Sequence, residues 1–340
     1  MTKQHIEWKN FDWKLGLRGV VAVLMGVLLS HLFDLPGITA MSALFVSLTD
    51  PPGNLKDKLK VMGLWTLAAG VLTILGLIIG TDMWSMVLSV TIIAFICASA
   101  LYFGAMYAIL GLLLNYWFLL ILEKPDPPIA GKMVGFFAGA ILAMAAVALF
   151  TVLKIHTKKK QTSSAKPQRK KSESTMHVSF LQSPVFKFAL IKACAVGVAA
   201  IVGWLLVGAR PFWVVFAPLS IIKPDLHQTA VKGIERIGGT IAGGIIGILM
   251  IGNIQQDLVL ALLLIVFIFL FLGTVQISYT MMISLLTLIL IVAGRFGGVS
   301  AAFSGEERIG ATILGVMIAF AVIIIIWLIM KRKSAHNKTA

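Results

Sequence analysis

The chain is poor in charge. Only 13% of its 340 residues are Asp, Glu, Lys or Arg, against roughly 25% in a soluble domain. Hydrophobic residues make up 59%, and the mean hydropathy is +0.97. Too little polar surface is available to cover a water-soluble fold, so the composition predicts a polytopic membrane protein. Cysteine is nearly absent. Cys97 and Cys194 both sit inside apolar runs without metal-ligand spacing, which excludes a disulfide framework and a thiolate metal site. The six histidines fall in tails, linkers or loop ends. No carboxylate pair flanks one of them, and no nucleophile elbow or phosphate-binding loop is present. The expectation is no enzyme, no catalytic residue, no metal and no cofactor. Any active transport must then draw on an ion or proton gradient or on a separate partner. Acids are the scarcer sign, 14 against 29 Lys and Arg, a formal net charge of +15. The excess lies in the tails, a central linker and certain short loops. That is the positive-inside pattern rather than a nucleic-acid footprint.

What is there is apolar runs. A span needs about 20 apolar residues. Leu15–Phe33, Leu59–Gly80, Ile129–Ile155, Phe186–Val207, Val231–Gly252 and Ile309–Met330 qualify. Met83–Leu122 is long enough for two short spans turning near Gly104, and Leu258–Val292 for a hairpin turning near Gly273–Gln276. The first run follows a polar segment and lacks a small-residue cleavage site, so it reads as a retained span. Two further runs, Gly37–Thr49 and Pro211–Ile222, are too short to cross a bilayer as regular helix.

The segment "HTKKKQTSSAKPQRKKSESTMH" (His156–His177) is basic, rich in Ser and Lys, and without apolar periodicity. It divides the chain into two halves that read alike. Arg18 and Lys192 share a slot early in the first span of each, and Pro36 and Pro211 share the next. A short run then ends in "TDPPGN" or "IKPDLH", and a glycine-rich span follows. The fold class expected is all-α: two tandem six-helix units, about 12 membrane helices with some short or broken, each unit with internal inverted three-helix pseudo-symmetry. The expected division is a first membrane unit at 1–156, a basic cytoplasmic linker at 157–184, a second membrane unit at 185–332 and a basic tail at 333–340. Lys and Arg counts put both termini and the linker in the cytoplasm. Short, Pro-bounded segments at matching places in two halves point to a transport site.

"GIERIGGTIAGG" (Gly233–Gly244) and "GEERIGATILG" (Gly305–Gly315) share Glu-Arg-Ile-Gly-x-Thr. Under this topology they are read as helix starts entering from opposite faces, each arginine standing seven residues before a glycine, Gly243 or Gly315. In the first half Lys132 stands seven before Gly139. Gly239, Gly243 and Gly247 fall on one helical face, where a neighbouring helix can approach closely. A charge inside a bilayer is costly and pairs or faces water. Arg236 and Arg308 at helix N-termini, beside free N–H groups, would make an anion site where two tips meet at one cavity. Interfacial anchoring or an intersubunit ion pair is the competing reading. Arg18, Lys192 and Lys132 are candidates for the same electropositive path, with headgroup snorkelling as the alternative. Glu235 and Glu307 are the candidate proton carriers.

"RPFWVVFAPLSIIKPDLHQTAVKGIERIGGTIAGGIIG" resembles the signature of the fusaric acid resistance family: a Pro-aromatic short helix, a Pro turn and an Arg-x-x-Gly-Thr helix start. "EERIGATILGV" is similar to the family's second arginine element. The resemblance is stronger over residues 186–332 than over 11–156. It implies a six-helix unit used twice and efflux of aromatic or other organic acids across a bacterial inner membrane. Architecture shared with plant aluminium-activated malate transporters implies an anion path between the units. The matching positions carry over Arg236 and Arg308, and more weakly Glu235 and Glu307. The chain lacks the large soluble region of longer members, so it looks like a short form. The expected partners are the lipid bilayer, a small organic anion, and a second copy or an accessory periplasmic protein, with no nucleic acid. A passive anion channel, a major-facilitator-type carrier and a non-transporting assembly protein remain the alternatives.

Overall fold

The computed structural model describes residues 8–79, 82–123, 129–153, 179–207, 212–296 and 298–339. These form twelve α-helices: α1 (Trp13–Leu32), α2 (Ile38–Leu48), α3 (Leu55–Ile78), α4 (Met83–Ser99), α5 (Ala105–Glu123), α6 (Ile129–Val152), α7 (Pro184–Leu206), α8 (Phe212–Ile221), α9 (Leu226–Ile251), α10 (Asp257–Thr274), α11 (Tyr279–Phe296) and α12 (Ala301–Thr339). There is no strand among the described residues. Ten helices are long and apolar enough to cross a membrane; α2 and α8, at 11 and 10 residues, are not. The chain is a polytopic all-α membrane protein. The turns fall where the sequence placed them, at Gly104 between α4 and α5 and just after Thr274 between α10 and α11. Gly104 has φ +123°, a backbone conformation glycine adopts without strain.

Side-chain caps fix several helix starts, and these lie outside the apolar windows. Asn54 accepts from the N–H of Asp57, Asp82 from Ser85, Ser183 from Phe186 and Asp225 from Gln228. Each satisfies one of the free donors of a first turn. As a result α3 and α9 begin several residues before the apolar spans expected at Leu59 and Val231. The expected linker, 157–184, lies largely outside the described residues. Its last part forms a 3-10 turn at Phe180–Gln182 and the start of α7. The expected tail is a continuation of α12, whose sequence there holds neither Pro nor Gly to stop a helix.

The short helices are wrapped by the long ones. α2 packs against α1 and α6, and α8 against α7 and α12. No residue of either short helix is exposed. A ten-residue helix is about 15 Å long, half a bilayer, so protein covers the irregular backbone at their ends where lipid would otherwise meet it. The halves meet where α4 packs on α7 and α1 on α10.

Glycines set the closest approaches. A methyl group added to Gly139 would overlap the Thr39 carbonyl oxygen on α2, and one on Gly315 would overlap the Val214 oxygen on α8. On α9, Gly239 and Gly243 press on the Thr280 and Ser284 carbonyls of α11 so closely that neither leaves room for a Cβ, and Gly247 meets Ile291. Ser284 Oγ donates to the Gly239 carbonyl at 2.9 Å across the same contact. These are small-residue contacts that replace the missing hydrophobic drive inside a membrane.

Candidate functional site

α9 and α12 run antiparallel. Gly233 faces Phe320, Gly244 faces Ile309, and Gly305 faces Ile248. The two Glu-Arg motifs therefore travel in opposite directions, but neither opens a helix. Arg236 lies about three turns beyond Leu226, and Arg308 about two turns beyond Ala301. Free N–H groups exist only in the first turn of a helix, so the anion site formed by helix tips is ruled out. The polar residues before the first motif follow an Asp225 cap, and in both helices the chain is already helical before it reaches the charges.

Arg236 is buried, with 7% of its surface exposed. Its Nη1 donates to Ser220 Oγ of α8 at 2.8 Å and to the Tyr279 hydroxyl of α11 at 3.3 Å. Its Nε is buried without a hydrogen-bond partner. Its neighbour Glu235 does not reach across helices. It pairs at 2.7 Å with Lys232 on its own helix, and the Lys232 ammonium lies 4.5 Å from the centre of the Tyr279 ring. Phe216 of α8 and Tyr116 of α5 pack nearby with tilted rings, centres 5.1 Å apart. The Arg308 guanidinium lies over Trp213, its carbon 3.4 Å from the ring centre, a cation–π contact. Glu307 is half-buried beside it in sequence.

α8 is thus the common element. Trp213 at its start meets Arg308, and Ser220 at its end meets Arg236. Seven residues of helix separate these partners, about 10 Å. The partners of the two guanidiniums are spaced along α8.

The other candidates divide sharply. Arg18 Nη2 pairs with Asp50 at 2.5 Å, and Lys58 Nζ with the same carboxylate at 2.5 Å. The Asp50 side chain is 1% exposed. Lys192 on α7 is buried, 8% exposed, with only the Phe188 ring beneath it at 5.7 Å. Among the described residues it makes no hydrogen bond or ion pair. Lys223, in the turn between α8 and α9, sits close enough to line a common cavity with it. Burial pushes the Lys223 ammonium below the usual lysine range, and neighbouring Lys232 adds to this. Lys132 is buried on α6. Gly239, Gly243, Gly247 and Gly315 serve helix packing, as their spacing suggested. Sequence reasoning missed Ser220, Tyr279, Asp50, Lys223 and Asn115. Asp50 and Lys223 carried a signal, since each stands just before a proline in the turn that follows a short helix.

No curated protein and no solved structure matches the chain. A family model does match, over residues 197–322: that of fusaric acid resistance protein-like proteins. The match runs from the last ten residues of α7 into α12 and takes in α8, Arg236 and Arg308, but neither Lys192 nor the first half. Residues 197–322, within the second membrane half, are therefore similar to fusaric acid resistance protein-like proteins.

Proposed function

We propose that this protein moves organic anions across a bacterial inner membrane, most simply outward, along a path that follows α8. One observation carries the reading. Arg236 is a permanently charged guanidinium inside an apolar span, met by the Ser220 and Tyr279 hydroxyls and by no carboxylate among the described residues. An ionic group in a membrane is retained where it has a partner or meets water. Arg236 keeps donor capacity for a passing anion, and Arg308 over Trp213 offers a second positive station about 10 Å further along α8. Two stations suit conduction, because an anion must be held weakly enough at each to leave it. Aromatic carboxylates are the substrate class that the family resemblance favours. The basic loops and tail support a topology with both termini in the cytoplasm.

A uniport or channel-like mode is the second reading. Glu235 is tied to Lys232, so a proton-coupled cycle through Glu235 must first break that pair. Flux of organic acids into proteoliposomes tests both readings. Arg236→Ala is expected to lower flux about tenfold or more, with Arg236→Lys retaining part of it. Glu235→Gln leaving flux unchanged at zero proton gradient favours the uniport. Wild-type flux equal to that of empty vesicles, across a broad acid panel, rejects transport and leaves the assembly-protein reading.

A further inference from the structure

Where α4 meets α7, the two halves enclose a cavity of about 240 Å³. α4 and α5 of the first half form one wall. α7 and the α8–α9 turn of the second half form the other. Its charged lining residues are Lys192 and Lys223, and no acid lines it. Lys192 is more than nine-tenths buried and has no hydrogen-bonding or ionic partner among the described residues. Asn115, also buried, adds an amide whose nitrogen is held by the Gly111 carbonyl at 3.1 Å. The rest of the lining is largely apolar, from Leu101 through Ile109 and Leu112. Ile109 is 59% exposed on the outside of α5, so the apolar end borders the lipid-facing surface. Lys223 belongs to the α8–α9 turn, which sets the charged end of the cavity there.

The buried Lys192 and the half-buried Lys223 line one cavity with no acid in its lining, so they repel each other and Lys192 lacks solvation. An oxyanion between them removes both costs. The apolar wall beyond them excludes a small hydrated anion as the natural occupant and suits a hydrocarbon body. We propose that this cavity binds an anionic amphiphile, an oxyanion carried on an acyl-sized apolar chain, with Lys192 and Lys223 on the headgroup. Two sources share that chemistry: an anionic phospholipid of the inner leaflet and a free amphiphilic acid. The site goes beyond the Arg236 path and does not depend on it. Loss of flux on Arg236→Ala and loss of binding on K192Q/K223Q are separate outcomes.

The test uses the full chain in nanodiscs of neutral phosphatidylcholine. Saturable octanoate binding in wild type, weakened about tenfold in K192Q/K223Q, supports a free amphiphile. Octanoate failing to bind, with phosphatidylglycerol retained on wild type and lost from K192Q/K223Q in native mass spectrometry, supports a lipid source. Binding of neither ligand, or equal binding by wild type and variant, overturns the proposal. Amine labelling of wild type alone covers a misfolded variant. Lys192 and Lys223 should be protected by the bound ligand, whereas labelling unchanged by either ligand overturns the site.

Discussion

Arg18 and Lys192 occupy matching slots on α1 and α7, yet their surroundings differ. In the first half Asp50 collects both Arg18 and Lys58, and the cluster is an internal ion network with 1% of the carboxylate exposed. In the second half the residue before the turn proline is Lys223, so the slot that held an acid holds another cation, and Lys192 is left without a counter-charge. One acid-to-base difference converts a structural ion cluster into an electropositive cavity. Under the proposed reading, the position before the turn proline serves the fold in the first half and ligand binding in the second. The family match lies over the second half alone, 197–322.

Glycine packing is what the halves share, so breaking it should harm both equally and most severely. Gly139→Val and Gly315→Val each drive a side chain into a backbone carbonyl oxygen, that of Thr39 or Val214. Both should abolish monodisperse protein in size-exclusion chromatography. Gly238→Ala and Gly310→Ala meet nothing within 4 Å and should leave the yield unchanged, because alanine favours helix.

The next effect separates the halves. Asp50→Asn leaves the half-buried Arg18 and Lys58 without their carboxylate, a loss of about 3 kcal/mol at most. Thermal unfolding in one detergent should show a clear fall in Tm. Lys223→Gln removes an uncompensated charge, so its Tm should hold or rise. A fall for Lys223→Gln equal to that for Asp50→Asn would erase the distinction.

The smallest effect is in pH. The folded-state pKa of Lys223 lies below its ordinary value of 10.5. Its charged form is therefore disfavoured in the fold, and the penalty is fully present below the folded pKa. The unfolded chain binds more protons between the two values, so stability rises with pH across that window. Lys223→Gln should flatten this rise in a pH series of melting curves, with other lysines contributing a common background.

Much of the fold was legible before the structure. Span lengths of about 20 apolar residues located ten helices, and the two Pro-bounded runs located α2 and α8. The glycine spacing on α9 gave its packing face. Helix starts were not legible from hydropathy, because an apolar window begins where charges stop, whereas a helix begins at its cap. That is why Glu235-Arg236 looked like a tip when Asp225 had already capped the helix. The arginine partners were out of reach for another reason. Ser220 and Tyr279 are ordinary polar residues 16 and 43 positions from Arg236, and only tertiary packing brings them to it. Asp50 against Lys223 was visible in the two aligned turns, but its meaning needed Arg18 and Lys192 to be seen beside them.

The central claim is that Arg236 on the α8 path serves a moving anion while Arg18 serves the fold. The direct measurement is organic-acid flux in proteoliposomes holding equal amounts of folded Arg236→Ala and Arg18→Ala protein. The account predicts that Arg236→Ala loses flux by about tenfold or more, while Arg18→Ala lowers stability but keeps most of the flux per folded molecule. Equal flux from Arg236→Ala and wild type, or a selective loss in Arg18→Ala, would contradict it.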